Sequence, residues 1–185
     1  MWPWGHLAVA YLFYTISIRQ RFDRPPSTLP AIALAVGSQI PDLIDKPLAW
    51  NFGVLPGGRT LAHSLFVVAL LAPAVLLVSD RLRHRAIGVG FLVGYGSHLL
   101  ADIPPAVLSG EFAHAAYLLW PVLEQPPEEP VAGILDAILH YYTLGAYEWV
   151  QFGLFAVAVL AWYRDGMPGL ELVTAPIVRR FGSRS

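Results

Sequence analysis

Five apolar stretches, each close to the length of a bilayer crossing, constrain this chain more than any other feature: Trp2–Ile18, Leu29–Asp45, Leu61–Ser79, Ala86–Ile103 and Gly145–Tyr163. A crossing takes about 20 mostly apolar residues, within a range of about 17–25. Inside hydrocarbon a segment must satisfy its own backbone hydrogen bonds, so each stretch is expected to be a helix. The fold expected is all-α, a polytopic transmembrane helix bundle of about five spans. Phe112–Leu123 is too short to cross and is expected to be a short re-entrant or interfacial helix. Composition agrees: 56% of residues are hydrophobic and 14% charged, against about 45–50% and about 25% in soluble domains. Mean hydropathy is +0.54.

Residues 1–170 read as a single integral-membrane domain and 171–185 as a cytoplasmic C-terminal tail. Pro126, Pro127, Glu128, Glu129 and Pro130 mark a turn, after which the fifth span is expected to begin as a helix from about Val131. The first stretch is not expected to be a cleaved signal, because its basic residues Arg19, Arg21 and Arg24 follow it. Those three, with Arg81, Arg83, Arg85, Arg164, Arg179, Arg180 and Arg184, fall on one side if the spans alternate, and only Lys46 and Arg59 fall on the other. Positive residues stay inside. The expected location is the cell membrane, with the N-terminus outside and the C-terminus cytoplasmic. Trp2, Trp4, Trp50 and Trp120 then lie at the outer boundary, where indoles anchor.

The chain has no cysteine, which excludes disulfides, thiolate metal sites and a Cys nucleophile. A net charge of −1 without a basic run gives no reason to expect nucleic acid as a partner. The partner expected is the lipid bilayer. Any metal must be held by His and carboxylates. A helix rise of ~1.5 Å per residue puts His6, Asp42 and His98 roughly 20 Å above the cytoplasmic ends of their spans. His63, Asp45, Asp102 and Glu148 come out at roughly 22–25 Å. Ionisable groups at such depth pair, ligate or line a wet cavity. His98 and Asp102 are spaced i,i+4 and share a helix face; Asp42 and Asp45, spaced i,i+3, share another. One His with one carboxylate per helix, repeated on facing helices, is how bundles build metal sites. Two His and two Asp suit a zinc-like or manganese-like ion, and the residues do not choose between them.

Plainer roles exist for each residue. His6 could be a hydrogen-bonded interfacial histidine. Asp42 and Asp45 could end a helix beside Pro41, with Lys46 pairing Asp45. His63 could be a solvated first-turn residue, although Ser64 or Thr60 would cap better. His98 with Asp102, inside an apolar stretch, is hardest to read as packing alone. His84 in the basic loop reads as solvated; His114, Asp136, His140 and Glu148 are weaker candidates whose roles the sequence leaves open. Tyr141, Tyr142 and Tyr147 read as an interface belt. Gly88, Gly90, Gly94 and Gly96 with Ser97 form a small-residue face for close helix packing.

Pro41-Asp42-Leu43-Ile44-Asp45, Arg59-Thr60-Leu61-Ala62-His63-Ser64 and Gly96-Ser97-His98-Leu99-Leu100-Ala101-Asp102, preceded by His6, resemble the YdjM-type family of membrane-bound, predicted metal-dependent hydrolases. The resemblance covers roughly residues 1–125. That family in turn looks like the zinc phospholipase C and P1 nuclease superfamily, whose ligands arrive as His, Asp, His, His-x3-Asp, then a further His and a final His-x3-Glu. His6, Asp42 or Asp45, His63, and His98 with Asp102 match the first part in order, and His114 could stand for the next. Gly58 occupies a position where the family often has His, and the fourth residue after His140 is Leu144. One metal centre is therefore expected rather than two or three.

The resemblance implies hydrolysis of a phosphoester or lipid-like substrate near the non-cytoplasmic interface, with a phospholipid or other amphiphile as substrate and zinc, or else manganese, as cofactor. The metal-ligand set expected is His6, Asp42, Asp45, His63, His98 and Asp102; Asp42, His63, His98 and Asp102 hold the ion, with Asp45 and His6 close by. Asp45 is expected to act as general base and Arg59 to hold a substrate phosphate. The alternative is a non-enzymatic membrane scaffold or binding protein with a closed structural metal site. A transporter would want ionisable groups through the full depth of the membrane, and the inner halves of the spans carry almost none.

Overall fold

The computed structural model describes residues 1–125, 133–141, 145–172 and 174. The turn at 126–130, the start of a helix at Val131, and most of the 171–185 tail lie outside these residues. The described residues form helices and connecting loops, with no strand. The all-α expectation holds.

α1 (Pro3–Phe22) starts with Pro3, where a missing N–H costs nothing. It stops at Asp23, whose φ of 48° is left-handed. The second apolar stretch was expected to be one helix and is two, α2 (Thr28–Gly37) and α3 (Ile40–Lys46). Pro41 is the reason: it has no N–H to return to the preceding turn. A π-turn, Pro47–Asn51, follows. The third apolar stretch forms α4 (Leu65–Arg81), which begins four residues later than expected, so His63 lies in the loop ahead of it. Ser64 is its N-cap, its Oγ accepting from the Phe66 N–H at 3.2 Å. α5 (Arg85–Ala101) ends at Asp102, ahead of Pro104 and Pro105. A short α6 (Pro105–Leu108) leads into a 3-10 helix, Phe112–Leu119, on the stretch expected to be re-entrant or interfacial. α7 (Ile134–Tyr141) and α8 (Ala146–Arg164) complete the order.

α5 is the hub, packed on α2, α1, α4 and α3, while α8 lies along α1. The closest approach is between α5 and α2. A Cβ added at Gly90 would lie 2.4 Å from the Pro30 carbonyl oxygen, and one at Gly94 would lie 2.1 Å from that of Leu34. Pro30, Leu34 and Ser38 climb α2 in steps of four against Gly90, Gly94 and His98 on α5. The small-residue face is thus real but divided: Gly88 meets Ser79 of α4, and Gly96 faces open space.

The far ends of α1 and α8 are joined by Asp165. Its carboxylate accepts from Tyr11 Oη (2.8 Å), Thr15 Oγ1 (2.5 Å) and Arg19 Nε (2.9 Å), and Arg19 Nη2 makes a further ion pair. Burial alone would raise this carboxyl; the hydrogen bonds from Thr15, Arg19 and Tyr11 outweigh it and hold Asp165 below the usual carboxylate range.

Burial runs opposite to a soluble domain. The buried apolar residues are mostly alanine and tyrosine, with Leu34 and Leu99, whereas Phe13, Leu70, Leu77, Val150, Val157 and Leu160 face outward and more than half exposed. Large apolar exposure of this kind marks a surface made for another phase or partner. No helix among the described residues is long and apolar enough to cross a membrane. α1 is 20 residues long but carries Arg19 and Arg21, and α4 and α5 are 17 each.

Candidate metal centre

The site forms where the break between α2 and α3 meets the C-terminal end of α5. Asp45, on the last turn of α3, is fully buried. Its carboxylate accepts the backbone N–H groups of Thr60 (2.8 Å), Ala62 (2.9 Å) and His63 (3.3 Å), and a bond from His63 Nδ1 (2.8 Å). The Thr60–His63 stretch ahead of α4 is therefore wound around one side chain. The Tyr95 hydroxyl donates to the Ala62 carbonyl, and Ser64 Oγ donates to that of Trp120 at 2.6 Å. His63 is fixed in position and in ring orientation.

His98 is fixed from the other side. Its Nδ1 lies 2.7 Å from the Ser38 carbonyl oxygen, next to the helix break. A carbonyl only accepts, so Nδ1 is the donor and the lone pair is on Nε2. The same holds for His63, whose Nδ1 donates to a carboxylate. The two Nε2 atoms nevertheless face each other at 3.1 Å. Two lone pairs at that distance repel unless a proton or a cation lies between them.

Two carboxylates complete the group. Asp42 Oδ1 is 3.7 Å from each Nε2, and it is buried with no hydrogen-bond partner among the described residues. Asp102 Oδ2 is 3.5 Å from His63 Nε2 and 3.9 Å from His98 Nε2. These four atoms lie within 4.8 Å of one another, all on buried residues. Bonds of about 2.0–2.2 Å to a tetrahedral ion place ligand atoms about 3.3–3.6 Å apart. The nitrogen and oxygen donors, their spacing and the orphaned Asp42 oxygen all fit a divalent ion, and Asp42, His63, His98 and Asp102 would hold it.

His6, fully buried on α1, stacks on His98 with ring centroids 3.7 Å apart. Its Nε2 is 3.2 Å from Asp102 Oδ1 and 4.0 Å from Asp42 Oδ2. Beyond these ion-pair contacts, neither of its ring nitrogens has a hydrogen-bond partner among the described residues. Three cations surround the carboxylates. Lys46 pairs with Asp42 Oδ2, not with Asp45 as expected, because Asp45 turns inward to the loop. Arg59 Nε is 3.0 Å from Asp102 Oδ2 and its guanidinium lies 6.0 Å from the Tyr117 ring centre. The Met1 amino nitrogen is 2.5 Å from Asp102 Oδ1. Burial pushes the Tyr117 hydroxyl up to about 12, so it stands beside His63 as a neutral phenol.

The weaker candidates are elsewhere. Glu148 is half-buried and caps α8, accepting from the Gly145 N–H at 2.9 Å. His114, half exposed, pairs with Glu111 at 3.3 Å. His84 and Asp136 are exposed. The side chains of His140 and Tyr141, and all of Tyr142, lie outside the described residues.

Sequence reading missed the Ser38 carbonyl, for which Pro41 three residues on is the only signal. It also missed Gln151, fully buried on α8 with its Oε1 accepting from the Trp2 N–H at 2.8 Å. A lone amide in an apolar stretch could have flagged it.

No curated protein and no solved structure matches the chain. The model of the YdjM inner membrane protein family matches residues 1–175, nearly the whole length and every residue of the His and Asp cluster. On that match the chain belongs to the YdjM inner membrane protein family.

Proposed function

We propose that the chain is a membrane-embedded, metal-dependent hydrolase acting on a phosphoester or similar ester of an amphiphile at the non-cytoplasmic interface. One observation carries the reading: His63 and His98, each locked by an Nδ1 donor bond, aim their Nε2 lone pairs at a point shared with Asp42 Oδ1 and Asp102 Oδ2. Helices of alanine and tyrosine inside and large aliphatics outside support embedding, as does the family.

Asp42, His63, His98 and Asp102 are the proposed ligands. An ion held there supplies Lewis acidity and an acidified water at neutral pH. Asp45 spends its oxygens on three backbone N–H groups and on His63 Nδ1. We therefore assign it to positioning His63, the carboxylate–histidine arrangement that fixes tautomer and raises ligand basicity, in place of the general-base role. Arg59 reaches the surface, its side chain 37% exposed, while touching Asp102. It can meet a phosphate oxygen at the rim, and the neutral Tyr117 phenol beside it can donate a hydrogen bond. Asp42, Asp45 and Asp102 contribute three negative charges, while Lys46, Arg59, the Met1 amino group and a divalent ion contribute five positive ones. The surplus favours an anionic substrate group.

A structural metal site is the second reading. It is favoured by the burial of all four ligands, since a closed tetrahedral set leaves no position for water. The full chain, purified in detergent, separates the two by elemental analysis and by turnover of aryl phosphodiesters and of phospholipid vesicles. The hydrolase reading expects a bound divalent ion, with turnover abolished by His98→Ala and by Asp102→Ala. Loss of the ion in both variants with no ester ever turned over by wild type establishes the structural role. Wild type that binds no divalent ion ends both.

A further inference from the structure

α5 meets two neighbours through glycine on different faces. Gly90 and Gly94 admit the α2 backbone, while Gly88 admits α4, where an added Cβ would lie 2.4 Å from Ser79 Oγ. α2 and α4 are thus drawn onto α5 and do not pack closely on each other. Between them, over the N-terminal half of α5, a groove of about 560 Å³ remains. Its sides are Ala33 and Val36 of α2 and Ala74 and Val78 of α4, and its floor is Ile87 and Phe91 of α5. The surface it presents is apolar throughout, since the Ser79 hydroxyl turns back to donate to the Leu76 carbonyl at 3.0 Å. From Ala74 to Leu82 the groove follows the chain for about 12 Å at a rise of ~1.5 Å per residue, most of the ~15 Å depth of one leaflet. One end opens on the turn between α4 and α5. Leu82 and His84 line that mouth, and Arg81, Arg83 and Arg85, each next to one of them in the chain, are exposed. Arg85 Nη1 pairs with Asp80 Oδ2 at 2.8 Å. Arg81 and Arg83 have no ion pair among the described residues.

We infer that this groove holds one anionic phospholipid, with an acyl chain lying between α2 and α4 and its phosphate on the Arg81 and Arg83 guanidiniums. Charge decides the occupant. An apolar slot of leaflet depth fits an acyl chain of any lipid. Guanidiniums left without a carboxylate at its mouth select a phosphate, which they meet by parallel hydrogen bonds, and favour a lipid of net negative charge over a zwitterion. A second copy of the chain fits less well. Two copies in one membrane share an orientation, so symmetric pairing through this face sets their arginine turns against each other. The groove is also separate from the metal centre: Gly88 and His98 stand ten residues apart on α5, about 15 Å. The lipid is therefore a resident of the fold and not the substrate. The inference rests on the membrane-embedded reading above and is independent of the hydrolase reading.

The test is native mass spectrometry of the full-length protein in detergent micelles doped with equal amounts of dioleoylphosphatidylglycerol and dioleoylphosphatidylcholine. Wild type is expected to retain one phosphatidylglycerol per chain in preference to phosphatidylcholine. Each basic residue beside an anionic lipid is worth about fivefold in binding, so Arg81→Gln combined with Arg83→Gln should weaken phosphatidylglycerol retention about 30-fold and leave phosphatidylcholine unchanged. Ala74→Phe, at an exposed position on the side of the groove, should expel lipid of either kind. His98→Ala should hold phosphatidylglycerol as wild type does. Equal retention of the two lipids by wild type overturns the inference. So does phosphatidylglycerol still held by Ala74→Phe, or lost from a folded His98→Ala protein, which would place the lipid at the metal centre. A lipid-free dimer broken by Ala74→Phe gives the groove to a second copy and overturns it too. A chain that stays in solution without detergent overturns the embedding itself, whereas a detergent-extracted chain that does not select the anionic lipid overturns only the occupant of the groove. Wild-type selectivity decides the matter even where a variant does not fold.

Discussion

Gly94→Ala should damage the metal centre although Gly94 touches no ligand. The added Cβ would sit 2.1 Å from the Leu34 carbonyl oxygen, 2.9 Å from its carbon and 2.9 Å from the Ser38 nitrogen. All three are backbone atoms of α2, so no side chain can rotate away. Ordinary contact begins at about 3.5 Å, and α5 must retreat by more than an ångström. Overpacking of this kind costs typically about 1–3 kcal/mol, against a gain of about 1 kcal/mol from removing a helical glycine. The displacement falls one turn from His98, whose Nδ1 bond to Ser38 is 2.7 Å long and whose Nε2 is 3.1 Å from that of His63. Metal sites tolerate about 0.2 Å of error in ligand distance. Gly96→Ala is the control, because its Cβ would meet nothing within 4 Å, and the same propensity gain should leave it as stable as wild type or more so. Metal content and thermal unfolding in detergent are the readouts. Gly94→Ala is expected to lose most of its bound ion and to unfold at lower temperature; Gly96→Ala should lose neither. A Gly94→Ala protein with wild-type metal affinity would refute the reasoning that helix contact sets the ligand geometry.

Asp45→Asn should weaken the ion about 10–100-fold, the usual consequence of losing a carboxylate behind a ligating histidine; competition with a chromogenic chelator measures it, and unchanged affinity would remove Asp45 from its positioning role. Asp165 bears on stability rather than the ion. Its folded-state carboxyl is depressed, so its contribution is fully present above the unfolded value of about 3.9 and is lost as pH falls through the folded value. Wild type should therefore lose thermal stability below about pH 4, and Asp165→Asn, weaker at neutral pH, should lose less there; parallel pH profiles would show that Asp165 does not drive the acid loss. Reporter fusions at Arg83 and Glu128 should report opposite sides of the membrane, and the same side for both would overturn the proposed topology.

Much of the site was legible because helical periodicity is local. Four residues separate His98 from Asp102, and that spacing alone puts them on one face. Apolar stretches around His6, Asp42 and His98 flagged those side chains as out of place, and the structure brings them together with His63. Where the reading slipped, tertiary contacts decided. Asp45 and Asp42 look equivalent from their spacing, but the loop wraps around the first and leaves the second facing the histidines. Lys46 could reach either and pairs with Asp42. Asp165 drew no notice, since nothing near it in sequence reveals that Tyr11, Thr15 and Arg19 meet it from the far end of the chain.

By itself, then, the sequence determined that the chain is helical and which His and Asp share a helix face, because rise and periodicity follow from backbone geometry alone. Only the tertiary structure decided which carboxylate faces the histidines and which is taken up by backbone amides, and which nitrogen of His63 and His98 is turned toward that carboxylate. Those choices depend on donors and acceptors delivered by segments distant in sequence, the Ser38 carbonyl and the Thr60–His63 amides above all. A hydrogen bond selects its partner by position in space, which no local pattern of residues encodes.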